Sequence, residues 1–234
     1  METEILNIDY NEYVNLLGTA HFTRRSLLEA HEAVKKLKPT DLAVELDMQR
    51  FQFLNRRCAS CPERERCAGR CEFLGAADAL GNVEANIWLI DISEREITNR
   101  IRRLLPPSRL WWLSFVRFPF RHRSDDEVWL WEKGYKDDVL NRHARRSEVL
   151  RAKAPHVWRV LIDERNALMA ARLAWIVTQK LSKGEVVRVL ALTGAAHVNG
   201  IRALLGSPVQ IGEELRKLGL RFTVPRRIRR VSVN

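Results

Sequence analysis

Four absences narrow the reading before any motif is considered. No stretch of the 234-residue chain comes near the roughly 20 consecutive apolar residues that a membrane-spanning helix needs. The start, Met1-Glu2-Thr3-Glu4, is acidic and of mixed polarity, unlike a secretory leader. There is no recognisable nucleic-acid-binding motif. Cysteine is scarce, and all 4 fall within residues 58–71, which excludes a disulfide framework spread over the fold and points to metal ligation in a cytoplasmic protein. What is there excludes a disordered tail: 46% of residues are hydrophobic and 29% charged, enough for a sizeable core. With 40 Lys and Arg against 29 acids the net charge is +11, a balance that attracts polyanions but says nothing about fold.

Periodicity then organises the chain. Tyr13-Val14-Asn15-Leu16-Leu17 reads as a strand that ends in Gly18-Thr19-Ala20-His21. Thr23 is placed to cap a helix with Leu27, Leu28, Ala30, Val34 and Leu37 at helical spacing, stopped by Pro39. Asp41-Leu42-Ala43-Val44-Glu45-Leu46 is a buried-strand pattern, and a right-handed crossover is expected to set it beside the first strand. Further on, the pattern predicts a helix over 75–87, a strand over 87–91, a basic helix over 93–104 and a long amphipathic helix over 155–181. A strand over 186–192 leads to Gly194-Ala195-Ala196-His197 and a helix over 198–205, and 220–224 reads as a last strand. The fold class expected is α/β: a central mixed sheet flanked by helices, with an inserted helical region carrying the four-cysteine block. One domain over 1–234 would then hold a cysteine-rich insertion at 55–75, a helical and aromatic insertion at 105–150 and a basic end at 225–234, read as a tail or an edge strand.

Two GxxH turns carry the chemistry. Each follows an apolar strand and precedes a helix, so each sets an imidazole at the carboxyl edge of the sheet, where open α/β sheets bind ligands. Glu45 ends its strand at the same edge. His21, His197 and Glu45 are therefore expected to converge as two imidazoles and a carboxylate, a set suited to a divalent metal or to a general base acting on water.

These residues resemble the TraB/PrgY/TIKI family. The likeness rests on Leu17-Gly18-Thr19-Ala20-His21, on Val44-Glu45-Leu46-Asp47 with Arg50, on Asp163-Glu164-Arg165-Asn166 with Met169-Ala170, and on Thr193-Gly194-Ala195-Ala196-His197-Val198-Asn199-Gly200-Ile201. It implies a core related to ChaN and erythromycin-esterase-like proteins. It also implies a hydrolase that acts on peptides or another small substrate with His21, Glu45, Arg165 and His197 as its catalytic set. Members of the TIKI type are metal-dependent proteases, so Mn, Co or Zn on His21, Glu45 and His197 is the implied cofactor, and Arg165 the implied anion partner. A metal-free variant, with one histidine as general base, follows from the erythromycin-esterase relatives. Ala196 departs from the glycine common in the second turn, and Leu168 from an aromatic common before Met-Ala.

Other features complete the expectation. Glu164-Arg165 by itself reads as an exposed pair on a charged helix face; if Arg165 stands among the core positions, as the resemblance implies, it needs a carboxylate or an anionic ligand to offset its desolvation. Asp47, Arg50 and Glu164 are expected to support the site. Cys58, Cys61, Cys67 and Cys71, spaced C-x2-C-x5-C-x3-C, suit structural Zn²⁺ or a [4Fe–4S] cluster equally. The aromatic run Leu110-Trp111-Trp112-Leu113-Ser114-Phe115 reads as a core helix, and His31, His143 and His156 as surface residues. The competing reading is a non-enzymatic regulatory or nucleic-acid-binding protein that uses the basic charge, with the cysteines as a structural knob.

Overall fold

A continuously apolar segment takes an interior place in the sheet. In the computed structural model, which describes residues 8–21, 23–59, 71–81, 85–105 and 125–228, β4 (Val189–Gly194) is buried along its whole length. It pairs in parallel with β1 (Val14–Thr19) on one side and β2 (Asp41–Val44) on the other. β3 (Asn86–Leu89) extends the parallel sheet beyond β2. β5 (Arg226–Ile228) closes it as an antiparallel edge strand, giving the order β1-β4-β2-β3-β5. The molecule is thus α/β with a mixed five-stranded sheet.

Strand order corrects one expectation. β1 and β2 are not neighbours; β4 lies between them. β4 has no charged residue and both faces are buried, whereas β1 exposes Asn15 and suits an edge. Alternation along β4 then assigns its faces. Val189 and Ala191 join Val14, Ala43 and Trp88 in a core with α8 (Arg165–Leu181), α9 (Ala195–Leu205) and α10 (Pro208–Lys217). Leu190 and Leu192 join Leu42, Val44, Ile87 and Leu89 under α1 (Arg24–Leu37), α2 (Met48–Ala59) and α3 (Glu72–Leu80). The remaining helices α4 (Glu94–Leu104), α5 (Asp125–Lys133), α6 (Lys136–Lys153) and α7 (Pro155–Trp158) follow β3 in the chain.

Local chemistry explains most of these boundaries. Thr23 caps α1 as its pattern predicts, its hydroxyl accepting from Ser26 N–H at 3.2 Å, and Lys38 in a left-handed conformation ends the helix before Pro39. Asp47 caps α2, a helix the periodicity does not announce, by accepting from Gln49 N–H at 2.7 Å.

Three predicted elements differ. The helix expected over 75–87 is α3, shorter and earlier. The long helix expected over 155–181 is interrupted by a wide π-helical turn, Arg159–Glu164, between α7 and α8. The strand expected over 220–224 is not in the sheet, because Arg172 holds it against α8 by donating to the Thr223 carbonyl at 3.1 Å and to its hydroxyl at 2.6 Å. Among the described residues no helix is long and apolar enough to cross a membrane. Leu192, wholly buried in β4, tests the interior position: Leu192→Ala should lower unfolding free energy by about 2–5 kcal/mol in urea titrations, far more than a change at the exposed Asn15.

Candidate active site

Because β1, β4 and β2 are consecutive in the sheet, their carboxyl ends bring three segments to one point. Gly194 closes β4, and a methyl group built there would lie 3.1 Å from His21 Nε2, 3.4 Å from Glu45 Oε2 and 3.7 Å from His197 Cδ2. The Gly194 N–H donates to Glu45 Oε2 at 2.5 Å, so the glycine both makes room for the carboxylate and orients it. Arg165, the first residue of α8, donates from its terminal nitrogens to Glu45 Oε1 and, at 3.0 Å, to His197 Nε2. His21, Glu45, Arg165 and His197 therefore stand together; the two turns and the strand end predict His21, Glu45 and His197 there, and Arg165 is the residue that the resemblance implies. They line a cavity of ≈ 540 Å³ at the carboxyl edge of the sheet, with α4, α5 and α6 contributing its wall.

The two histidines are held differently although their motifs match. Register sets Thr19, not Gly18, opposite Gly194. His197 lies in the first turn of α9, and only 4% of its side chain is exposed. Its Nδ1 lies 2.7 Å from Asn166 Oδ1, so Nδ1 carries the proton and Nε2 accepts from Arg165. His21 sits in the turn before α1, and 30% of its side chain is exposed. That turn is pinned at Ala20, whose N–H donates to Ser26 Oγ at 3.1 Å and whose carbonyl accepts from Thr23 Oγ1 at 2.9 Å. His21 Nδ1 lies 2.5 Å from Glu72 Oε1, and Thr19 Oγ1 donates to the same oxygen at 3.0 Å.

Charge is balanced in the interior. Arg165 donates to both oxygens of Asp91, at 3.0 and 2.7 Å, and Arg50 shares Asp91 Oδ2 at 2.5 Å while pairing with Asp47. Burial pulls the Arg165 guanidinium down, but Asp91 and Glu45 more than reverse this and hold it above its ordinary range. Burial pushes Asp91 up, and Arg165 and Arg50 drive it well below the usual carboxylate range. Glu45 likewise feels burial upward, and its facing partners leave it lowered; Arg165 is the permanent cation among them. For His197 burial dominates, with Arg165 adding to it against Glu45, and the imidazole falls to about 4.

Three contributors had been given no role from the sequence. Glu72, fully buried at the start of α3, follows the last cysteine and carries no periodic signal. Asp91 had one, since it follows a strand at the same edge as Glu45. Asn166 follows Arg165 directly and reaches His197 because Gly200 has no side chain, a Cβ there falling 2.2 Å from Asn166 Nδ2. Of the expected supporting residues, Asp47 and Arg50 join the network through Asp91. Glu164 turns away, pairing with Arg100 of α4 and with Arg159 at 3.0 Å. His143, expected at the surface, lines the cavity. Cys71 is buried at the N-terminus of α3, whereas Cys61, Cys67, the Cys58 side chain and the aromatic run at 110–120 lie outside the described residues.

Two imidazoles and a carboxylate are suitable metal donors, but their arrangement does not fit a divalent ion. His197 Nε2 and Glu45 Oε1 are the atoms such an ion needs, and Arg165 already holds both. A +2 ion about 4 Å from a guanidinium meets roughly 8 kcal/mol of repulsion at an effective dielectric of 20. Among the described residues no group of three or more His, Cys, Asp and Glu is arranged to hold a metal.

No protein-family profile matches the chain. It is 26% identical over 220 residues to the uncharacterized protein MJ1365 of Methanocaldococcus jannaschii, an alignment covering 80% of the chain and 52% of the relative. The chain thus spans about half the length of the curated relative it matches.

The low pKa of His197 has a signed consequence. Between its ordinary 6.5 and about 4, an unfolded chain binds a proton that the folded imidazole refuses. Stability from this residue is complete above that window and falls as pH drops through it, by about 1.4 kcal/mol per pH unit. Urea midpoints measured across the window should fall less steeply in His197→Gln than in the wild type, and the wild-type His197 ring resonances should stay those of the neutral form until pH is near 4.

Proposed function

We propose that the chain is a hydrolase of the TraB/TIKI type acting on peptides, and that it works without a metal at the histidine site. The observation that carries this is the meeting of His21, Glu45, Arg165 and His197 at the floor of one cavity. Of the two imidazoles, His21 is the base. Its Nδ1–H donates to Glu72, its Nε2 lies on the side of Glu45 and Gly194, and 30% of its side chain is exposed. His197 is unsuited to that task, because its Nε2 lone pair is engaged by Arg165 and its basicity is suppressed.

A water activated at His21 Nε2 would attack a carbonyl lying over Gly194 and Ala195. The developing oxyanion has two supports. One is the Arg165 guanidinium, with 12% of its side chain exposed at the cavity. The other is the start of α9, where Gly194 offers no capping side chain and Ala195 and Ala196, whose first-turn N–H groups have no intrahelical acceptor, line the cavity. Glu45 keeps Arg165 and the Gly194 amide aligned. The four cysteines we assign to structural Zn²⁺ or a [4Fe–4S] cluster.

A fluorogenic peptide library tests the assignment. His21→Ala should lower kcat by about 10²–10⁴-fold, the contribution of a positioned general base. Glu72→Gln should lower it by a smaller factor, with circular dichroism unchanged in both. Chelation should leave hydrolysis intact while elemental analysis finds zinc or iron at the cysteines. Full activity in His21→Ala sinks the base assignment, and restoration of a chelated enzyme by Mn, Co or Zn sinks the metal-free mechanism. Salt-sensitive nucleic-acid binding without hydrolysis would favour the regulatory alternative.

A further inference from the structure

Helices α5 and α6 wall the cavity, yet the chemistry at its floor gives them no part. They are joined to the start of α1, just after the turn that carries His21, and two consecutive residues of α5 make the joint. The Trp131 indole Nε1–H donates to Ser26 Oγ at 3.0 Å, across 105 positions of sequence. The Glu132 carboxylate accepts from the N–H groups of Arg24 and Arg25, at 2.5 and 3.0 Å. Trp131 is only 2% exposed and Ser26 is wholly buried, so this is an interior joint and not a contact for a ligand.

The joint completes the hydrogen bonding of the turn. The first amides of a helix have no acceptor within it. In α1, Glu132 takes those of Arg24 and Arg25, and Thr23 Oγ1 takes that of Ser26. The helix dipole favours an anion at this place as well. Ser26 Oγ is the more consequential point. It accepts from the Ala20 N–H at 3.1 Å and from Trp131, which uses both lone pairs of the hydroxyl. Its own proton then has two acceptors in the turn, the Ala20 carbonyl at 3.1 Å and Thr23 Oγ1 at 2.8 Å. Without the indole, Ser26 regains a free lone pair, and a second pattern opens in which Thr23 donates to Ser26. The start of α6 tightens the same joint. Lys136 pairs with Glu29 of α1 at 2.5 Å, and Arg25 bonds Glu29 at 2.9 Å and the Glu132 carbonyl at 3.4 Å.

We propose that Trp131 and Glu132 are positioning residues for His21: through Ser26 and the first amides of α1 they hold the Ala20–His21 turn in the one arrangement that keeps His21 Nε2 beside Glu45 and Gly194. The inference rests on the hydrolase reading only for the role of His21 as a base; the joint itself does not depend on it.

Trp131→Phe is the informative variant, because it removes the N–H and keeps a buried aromatic ring. In the full chain carrying isotope-labelled histidine, the His21 ring resonances should shift and broaden in this variant. Those of His197, which Asn166 and Arg165 hold, should stay in place. Trp129→Phe, at an exposed position of the same helix, should move neither. Against the fluorogenic peptides, Trp131→Phe should lower kcat about tenfold with KM little changed, as slight misplacement of a base does. In a His21→Ala background it should lower kcat no further, because it acts through the ring that is missing. Glu132→Gln keeps the size of the side chain but offers one oxygen to two amides. It should give a smaller change of the same kind, and it carries the test if loss of the indole prevents folding. Unmoved His21 resonances in either folded variant, equal movement of His197, or an undiminished loss of kcat in the His21→Ala background would each overturn the proposal. A selective shift of His21 in a protein that cleaves none of the peptides upholds the joint and removes the hydrolase assignment alone.

Discussion

A guanidinium buried between two carboxylates organises the carboxyl edge of this sheet. Arg165 joins Glu45 after β2, Asp91 after β3 and His197 on α9, and Asp91 in turn receives Arg50 from α2. Removing ions from water is expensive, and such a network is stable only when each member has its partners and good geometry. Its consequence is positional. The ends of two strands and three helices are tied to one charged centre, so the groups facing the cavity have little freedom to drift.

The backbone is shaped to serve that centre. The helix leading to Arg165 runs through a wide turn, and Arg165 also donates to the Leu161 carbonyl at 3.3 Å, within that turn. The same turn ends in Glu164, buried between Arg100 and Arg159, which secures the approach to α8 from outside the site. Gly194 and Gly200 supply space where two segments must nearly touch. The one admits Glu45 to a backbone amide, and the other admits Asn166 to His197.

In the hydrolase reading proposed above, two turns with the same four-residue pattern perform different tasks. His197 is enclosed, neutral and bonded at both nitrogens, which makes it part of the frame around Arg165. His21 is half-open and braced by a carboxylate on its far nitrogen, the arrangement that orients a base. The +11 charge of the chain plays no visible part in this interior, where the acids and guanidinium groups are matched.

Local pattern alone was enough for much of this. Continuous apolar runs marked β4 and β2 as strands, Thr23 announced the start of α1, and the two turns and the strand end placed both histidines and Glu45 at one edge. Arg165 by itself read as an exposed residue, and only the family resemblance drew it toward a carboxylate such as Glu45. These features depend on neighbours a few residues away, which is why they can be read in order along the chain. Tertiary structure decided the rest: that β4 separates β1 from β2, that Asp91 completes the cradle for Arg165, that Glu72 braces His21, and that Glu164 faces elsewhere. Glu45 and Arg165 are 120 positions apart, and His21 and Glu72 are 51. Hydrogen bonds over such separations leave no periodicity behind, because their geometry exists only once the sheet has set which strand ends are adjacent.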